Sequence, residues 1–343
     1  MRASFPIIGD PQVQSANWME GLQQRWKTSG ASLRQQALDT KWHEAHVGRR
    51  EAFDRLLTLL EHAVFERAYV NGDMTNAPGF DGLRSPAIQR ESGELASHVR
   101  YSFPKVWRRS DRRTGNHDIC TVHPCGKKSD CQISIEAFTR FEQTWETPLF
   151  TRYDTEGVTI LGLSSDLLLL DGFCEPAERT KLEAMRVEHV RKIRRAFEEA
   201  ERVVVVMHSP EAFRVLMHPA AAPECAADLA RIRKLWYKVA ATCVGHLEGR
   251  FALLAFRLLY PLLALLVMTP LARVFRVVFN SPDAIELVRH WVYGCAKAAL
   301  LMPSKVFLAP PPKDGFLELV ATDGRLELFR LAPDSYPIRQ YNL

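Results

Sequence analysis

V-V-V-V-M-H-S-P, Val203 to Pro210, is a short apolar run stopped by two turn formers, the pattern of a β-strand with His208 at its end. Just upstream, Ala177–Ala200 has a helical pattern rich in charge through Arg186, Arg191, Lys192, Arg194 and Arg195, and reads as a helix with a solvated face. The same alternation extends outward along the chain. Phe5–Ile8, Ala68–Val70 and Val158–Leu163 are strand candidates, and Arg50–Phe65 and Ile135–Thr144 are helix candidates. Short strands separated by longer helices mark an α/β layered protein. Near the C-terminus, G-F-L-E-L-V-A-T-D-G-R-L-E-L-F-R, Gly315 to Arg330, predicts a hairpin. Asp323-Gly324 supplies its two-residue turn, and Leu317, Leu319, Leu326 and Leu328 alternate with Glu318 and Glu327. It is expected at a sheet edge.

At 343 residues the chain is long enough for one large domain or two modest ones. Hydrophobic residues at 47% and charged residues at 25% are ordinary for a globular protein. The net charge of +5 is mild and its signs are interspersed, so an anionic substrate or surface fits and a nucleic-acid partner is not expected. Seven cysteines do not read as a disulfide framework in a chain of this size, and M-R-A-S-F-P-I-I-G-D has no apolar leader core. The expected location is a reducing cytoplasm.

The strand ends hold the chemistry. Phe5–Ile8 runs into Asp10 and Gln12, and Ala68–Val70 into Asp73 and Asn76. The loop T-G-N-H-D-I-C, Thr114 to Cys120, presents Asn116, His117 and Asp118. His208 ends its strand, and A-T-C-V-G-H-L-E-G, Ala241 to Gly249, contains His246 and Glu248. Ligands bind outside the carboxyl ends of strands in α/β sheets, and Asp, Asn and His are ligands of hard and borderline divalent ions. Two such ions about 3.5–4 Å apart, bridged by a carboxylate, clamp the attacking and leaving oxygens of an in-line displacement. An unligated imidazole beside them can donate to the phosphoryl oxygens. These are the requirements of a metal-dependent hydrolase.

Gly72-Asp73, then G-N-H-D from Gly115 to Asp118, then His208 after its strand, then Gly245-His246 follow the motif order of the calcineurin-like metallophosphoesterases, which the chain resembles from Arg49 to Arg330. R-R-E-A-F-D-R-L-L before N-G-D, and F-T-R-F-E-Q-T-W-E-T-P-L-F before G-V-T-I-L-G-L-S-S, look like that family's linking helices and strand. The resemblance implies a layered β-sandwich flanked by helices and a phosphoesterase using two divalent ions. Asp73 would bridge the ions, and Asn116, His208 and His246 would complete one of them. His117 would sit over the phosphate as acid or transition-state stabiliser, oriented by Asp118.

The other ion departs from the pattern. The family takes Asp and His from D-x-H and the last His of G-H-x-H, and here those histidines read Gln12 and Glu248. The first site becomes Asp10, Gln12 and Asp73, with Glu248 as a further candidate. Such oxygen donors suit Mg²⁺ or Mn²⁺ better than Zn²⁺ or Fe, and occupancy by one ion instead of two stays open. A rival alignment also stays open. Asp39-Thr40-Lys41 lies 34 residues before Asp73, a more usual gap than the 63 from Asp10. W-V-Y-G-C-A-K, Trp291 to Lys297, looks like the family's W-V-Y-G-H-T-H without its histidines. On that alignment Lys41, Cys295 and Lys297 replace ligands and turnover is lost. The first alignment is preferred because Phe5–Ile8 is the better strand and His246 follows His208 at a normal interval.

Residues 251 to 279 are strongly apolar, but the uncharged run Leu258 to Ala272 is 15 residues, short of the ~20 that a spanning helix needs. Pro261 and Pro270 interrupt it, and Arg250, Arg257, Arg273 and Arg276 rim it. It reads either as a buried helical pair or as a monotopic element making peripheral membrane contact, its arginines meeting lipid phosphates. The second reading favours a lipid-linked substrate, as in the relatives that hydrolyse UDP-diacylglucosamine. A nucleotide or other small phosphoester is the alternative. A degenerate phosphoesterase-like module that binds a membrane or a partner without turnover is the competing class. Arg112 and Arg113 read either as part of a solvated basic run or as a grip on the substrate phosphate. The expected layout is one domain over 1–343, with a hydrophobic helical insertion at 249–285 and a C-terminal hairpin at 313–331.

Overall fold

The computed structural model describes residues 2–13, 47–75, 86–119, 133–155, 157–170, 174, 176–245, 252–268, 282–323, 325–332 and 335–342, with isolated positions between 23 and 44. Eleven strands are found among them: β1 (Arg2–Gly9), β2 (Ala68–Asn71), β3 (Ser110–Arg112), β4 (Phe150–Thr155), β5 (Val158–Leu163), β6 (Val203–Met207), β7 (Val239–Val244), β8 (Val306–Leu308), β9 (Phe316–Thr322), β10 (Arg325–Ala332) and β11 (Ser335–Asn342). The principal helices are α1 (Arg49–His62), α2 (Pro86–Ser102), α3 (Ile135–Trp145), α4 (Arg179–Glu199), α5 (Ala226–Leu235), α6 (Ala252–Met268) and α7 (Pro282–Leu301).

The strands form two mixed sheets. One has the order β11-β10-β9-β1-β2-β3 and the other β4-β5-β6-β7-β8. In the first, β1, β2 and β3 run parallel while β9, β10 and β11 are antiparallel. In the second, β5 to β8 are parallel and β4 is an antiparallel edge.

The all-apolar sequence of β6 follows from its covering on both sides, since strand side chains alternate between faces. Val204 and Val206 join Ile160 of β5 and Cys243 of β7 against Phe5, Ile7, Leu319 and Leu328 of the first sheet. Val203, Val205 and Met207 point the other way, onto Ile193 and Phe197 of α4 and Leu229 and Ile232 of α5. The first sheet has its own outer layer. Ile8 and Val70 pack under Phe53 and Leu57 of α1, Leu95 and Val99 of α2, and Phe138 and Phe141 of α3. The result is a helix–sheet–sheet–helix layering, with the sheets face to face at its centre. Local signals agree: Ser134 caps α3 by accepting from the Ala137 N–H at 3.2 Å.

Two expectations are corrected. The 316–332 hairpin forms, with Arg325 paired to Thr322, but it is not an edge element. β9 lies between β1 and β10, and β11 takes the edge beyond them. Nor does Pro261 end its helix. α6 runs through it, so the Arg257 carbonyl lacks its usual intrahelical donor. Phe256 of α6 packs with Cys295, Ala298 and Ala299 of α7. No helix among the described residues is long and apolar enough to cross a membrane.

Candidate metal centre

The parallel strands β1, β2, β3, β6 and β7 deliver their carboxyl ends to one place. Asp10 follows β1, Gly72-Asp73 follows β2, a single helical turn, Asn116–Ile119, follows β3, His208 follows β6, and Gly245 follows β7. Backbone hydrogen bonds hold neighbouring loops together. Gln12 N–H donates to the Asp73 carbonyl at 2.7 Å, and Gly245 N–H to the His208 carbonyl at 2.9 Å. The loops approach so closely that side chains would not fit. A Cβ on Gly72 (φ +83°) would lie 2.6 Å from the His208 ring, and one on Gly115 would lie 2.1 Å from Asp73 Oδ1. A Cβ on Gly245 would lie 2.3 Å from Asp10 Oδ1. Each motif glycine therefore makes room for a ligand candidate of another motif.

Asp10, Asp73 and His208 are buried together, with one candidate ligand atom from each lying within 4.8 Å of the others. His208 Nδ1 is 2.8 Å from the Asn71 carbonyl, which can only accept, so this nitrogen holds the ring proton. Nε2 then faces Asn116 Oδ1 at 3.1 Å and Asp73 Oδ2 at 3.3 Å. With the amide oxygen of Asn116 on this side, lone pairs face one another, an arrangement that a second proton on His208 or a cation relieves. Burial alone would push the imidazole down, but the Asp73 and Asp10 carboxylates more than offset it and hold it well above its ordinary value. Asp10 Oδ1 is buried and has no hydrogen-bond partner among the described residues, although His208 Nδ1 passes it at 3.2 Å. An orphaned carboxylate oxygen beside an N/O donor set fits a divalent ion, with the Asn71 carbonyl fixing the imidazole tautomer.

Other candidates are placed differently. Gln12, expected as an oxygen ligand, donates from Nε2 to Asp73 Oδ2 at 3.2 Å, and its Oε1 accepts from Arg49 at 3.1 Å. Asp118, expected to orient His117, accepts from the Met74 N–H at 3.2 Å and the Gly115 N–H at 3.0 Å, tying two site loops together. Burial first, then the charge of Asp73, holds its carboxyl well above the usual range. The side chain of His117, together with His246, Glu248, Asp39 and Lys41, lies outside the described residues.

Arg112 and Arg113 do not open on the cluster, nor are they solvated. Arg112 lies over the Trp107 ring at 3.9 Å and donates to the Trp145 and Trp107 carbonyls. Arg113 donates to the Gly162 carbonyl at 3.0 Å and to Thr147 Oγ1 at 3.3 Å. Cys295 of the rival alignment sits within α7, its thiol donating to Glu211 Oε1 at 3.1 Å, and Lys297 lies one half-turn on in the same helix. Sequence reasoning assigned no part to Arg49 or to the Asn71 carbonyl. The burial of the first residue of α1 has no local signal, and a backbone carbonyl has none at all.

No protein-family model matches the chain, and no curated protein is significantly similar to it.

Proposed function

We propose that the chain is a metal-dependent phosphoesterase of the calcineurin-like kind, hydrolysing a phosphoester or pyrophosphate bond. The observation that supports this most is the convergence of His208 Nε2, Asn116 Oδ1 and Asp73 Oδ2, with His208 Nδ1 pinned to the Asn71 carbonyl. These atoms, with His246 as a further ligand, would hold a divalent ion, Mn²⁺ or Mg²⁺ in preference to Zn²⁺. Such an ion supplies Lewis-acid stabilisation of phosphoryl oxygens and lowers the pKa of water. Asp118 keeps the Asp73 and Asn116 loops at fixed separation through its two backbone donors, and His117, next to Asn116, donates a proton or hydrogen bond to the phosphoryl group. The apolar face of α6 favours a lipid-linked substrate met at a membrane surface, with a nucleotide as the alternative.

The test is hydrolysis of bis(p-nitrophenyl) phosphate with and without Mn²⁺. Turnover should require the ion and fall by about 100-fold or more in Asp73→Ala and His208→Ala, the usual scale for removing such groups. A folded wild-type protein with no Mn²⁺-dependent turnover would overturn this reading. It would leave the second one, a degenerate phosphoesterase-like module that binds a membrane or a partner. The orientation of Gln12, which turns its amide nitrogen toward Asp73, favours that alternative.

A further inference from the structure

We infer that the centre is mononuclear, and that Arg49 takes the place of the second cation by locking Gln12 as a hydrogen-bond donor. This rests on the metal-centre reading above and specifies its stoichiometry. An Asn or Gln amide can turn either end toward a neighbour, and only its oxygen ligates a metal. Here both ends of the Gln12 amide are engaged. Oε1 is 3.1 Å from Arg49 Nη1, a group that can only donate, and Nε2 is 3.2 Å from Asp73 Oδ2, which can only accept when ionised. Flipping the amide would set donor against donor at Arg49 and acceptor against acceptor at Asp73. Asp73 Oδ2, the oxygen that faces His208 Nε2, thus already accepts an N–H group on its Gln12 side, where it would otherwise reach a second ion.

The position of Arg49 is built into the fold. It opens α1 just after Gly48 (φ +79°), is only 1% exposed, and also reaches the Asp10 carbonyl at 3.4 Å. A guanidinium offers donors only and has no lone pair with which to ligate a metal. Asp10, Asp73 and Asp118 are three buried carboxylates. Arg49 places a guanidinium beside the Gln12 amide and the Asp10 backbone, where a second divalent ion would have to sit next to a buried positive charge. Arg49 is thus a positioning residue, acting on the centre through Gln12.

Metal content decides the matter independently of activity. The full-length protein, equilibrated with Mn²⁺ and freed of unbound ion, should hold about one Mn²⁺ per chain by elemental analysis and give the spectrum of isolated Mn²⁺ by electron paramagnetic resonance. Two ions per chain with a spin-coupled spectrum would overturn the assignment of Arg49 while leaving the phosphoesterase reading intact. No bound ion would overturn both. The double variant Gln12→His, Arg49→Leu restores an imidazole ligand and removes the resident cation, and should bind a second Mn²⁺ with spin coupling. If that variant keeps wild-type circular dichroism and still binds one ion, Arg49 is not what excludes the second.

Discussion

At the residue scale, buried groups that titrate show how tightly the charge of this molecule is arranged. His189 lies on α4 with its Nε2 unpartnered among the described residues and its ring edge-on to Phe150 at 5.9 Å. Burial, then Arg113 and Lys192, pushes its pKa down to about 3. In the unfolded chain the same imidazole titrates near 6.5. Between these values the unfolded state binds the proton and the folded state does not, so folding is favoured less as pH falls. The contribution of a neutral His189 is complete above about pH 6.5 and is lost progressively toward pH 3, by at most about 1.4 kcal/mol per unit. His189→Leu removes this dependence. Urea midpoints measured from about pH 7 down to about pH 4 should therefore fall less steeply in the variant than in the wild type, and parallel slopes would show that His189 is not the group responsible.

At the element scale, the short strand β3 shows what local sequence does not disclose. S-D-R contains no apolar residue, yet all three positions are buried. The neighbouring Arg113 crosses from the end of β3 to the second sheet, where a Cβ on Gly162 would lie 2.8 Å from its guanidinium carbon. The glycine in V-T-I-L-G-L thus admits a cation from the other sheet. Arg113→Ala would leave the buried Gly162 carbonyl without its donor and should cost about 1–3 kcal/mol in urea unfolding. Arg113→Lys should recover only part of this, because one ammonium cannot reproduce the forked contacts to Gly162, Leu149 and Thr147. A lysine variant as stable as the wild type would refute that role. β5 and β6 were legible because an unbroken apolar run between turn formers has few other uses, and their bounds match the sequence reading. β7, V-A-A-T-C-V, mixes small and weakly apolar residues that signal neither period, and β4 is a partly exposed edge. Asp10, Asp73, Asn116 and His208 were legible as a group because each motif ends a parallel strand, and parallel strands gather their ends in space. The direction of the Gln12 amide was not legible, being set by Arg49 from a different element.

At the scale of the whole molecule, the layering leaves one feature unexplained by packing. α6 covers α7 with Phe256 and Tyr260, whose rings lie 5.0 Å apart, while Leu254, Leu258, Leu259 and Leu262 are each more than half exposed, at 55%, 57%, 52% and 57%. Leu254, Leu258 and Leu262 recur every fourth residue and so share one side of the helix. A stripe of leucines presented to water is a poor choice for a helix whose only task is to pack on its neighbour. Each leucine moved from water into an apolar phase contributes about 1.5–3 kcal/mol, enough for several together to hold a protein at a bilayer surface. Arg257, on the same helix, is held by the Pro303 carbonyl and gives this region a fixed positive charge. Deleting the helix would expose the α7 face that it covers, so the informative change is confined to exposed positions. Leu258→Glu combined with Leu262→Glu should leave the fold intact by circular dichroism and Mn²⁺ content unchanged, while lowering co-sedimentation with phosphatidylglycerol-containing vesicles by more than about tenfold, the equivalent of only 1.4 kcal/mol. If the wild type stays in the supernatant, or the variant pellets as well as the wild type, the leucine face does not meet lipid and the case for a lipid-linked substrate falls with it.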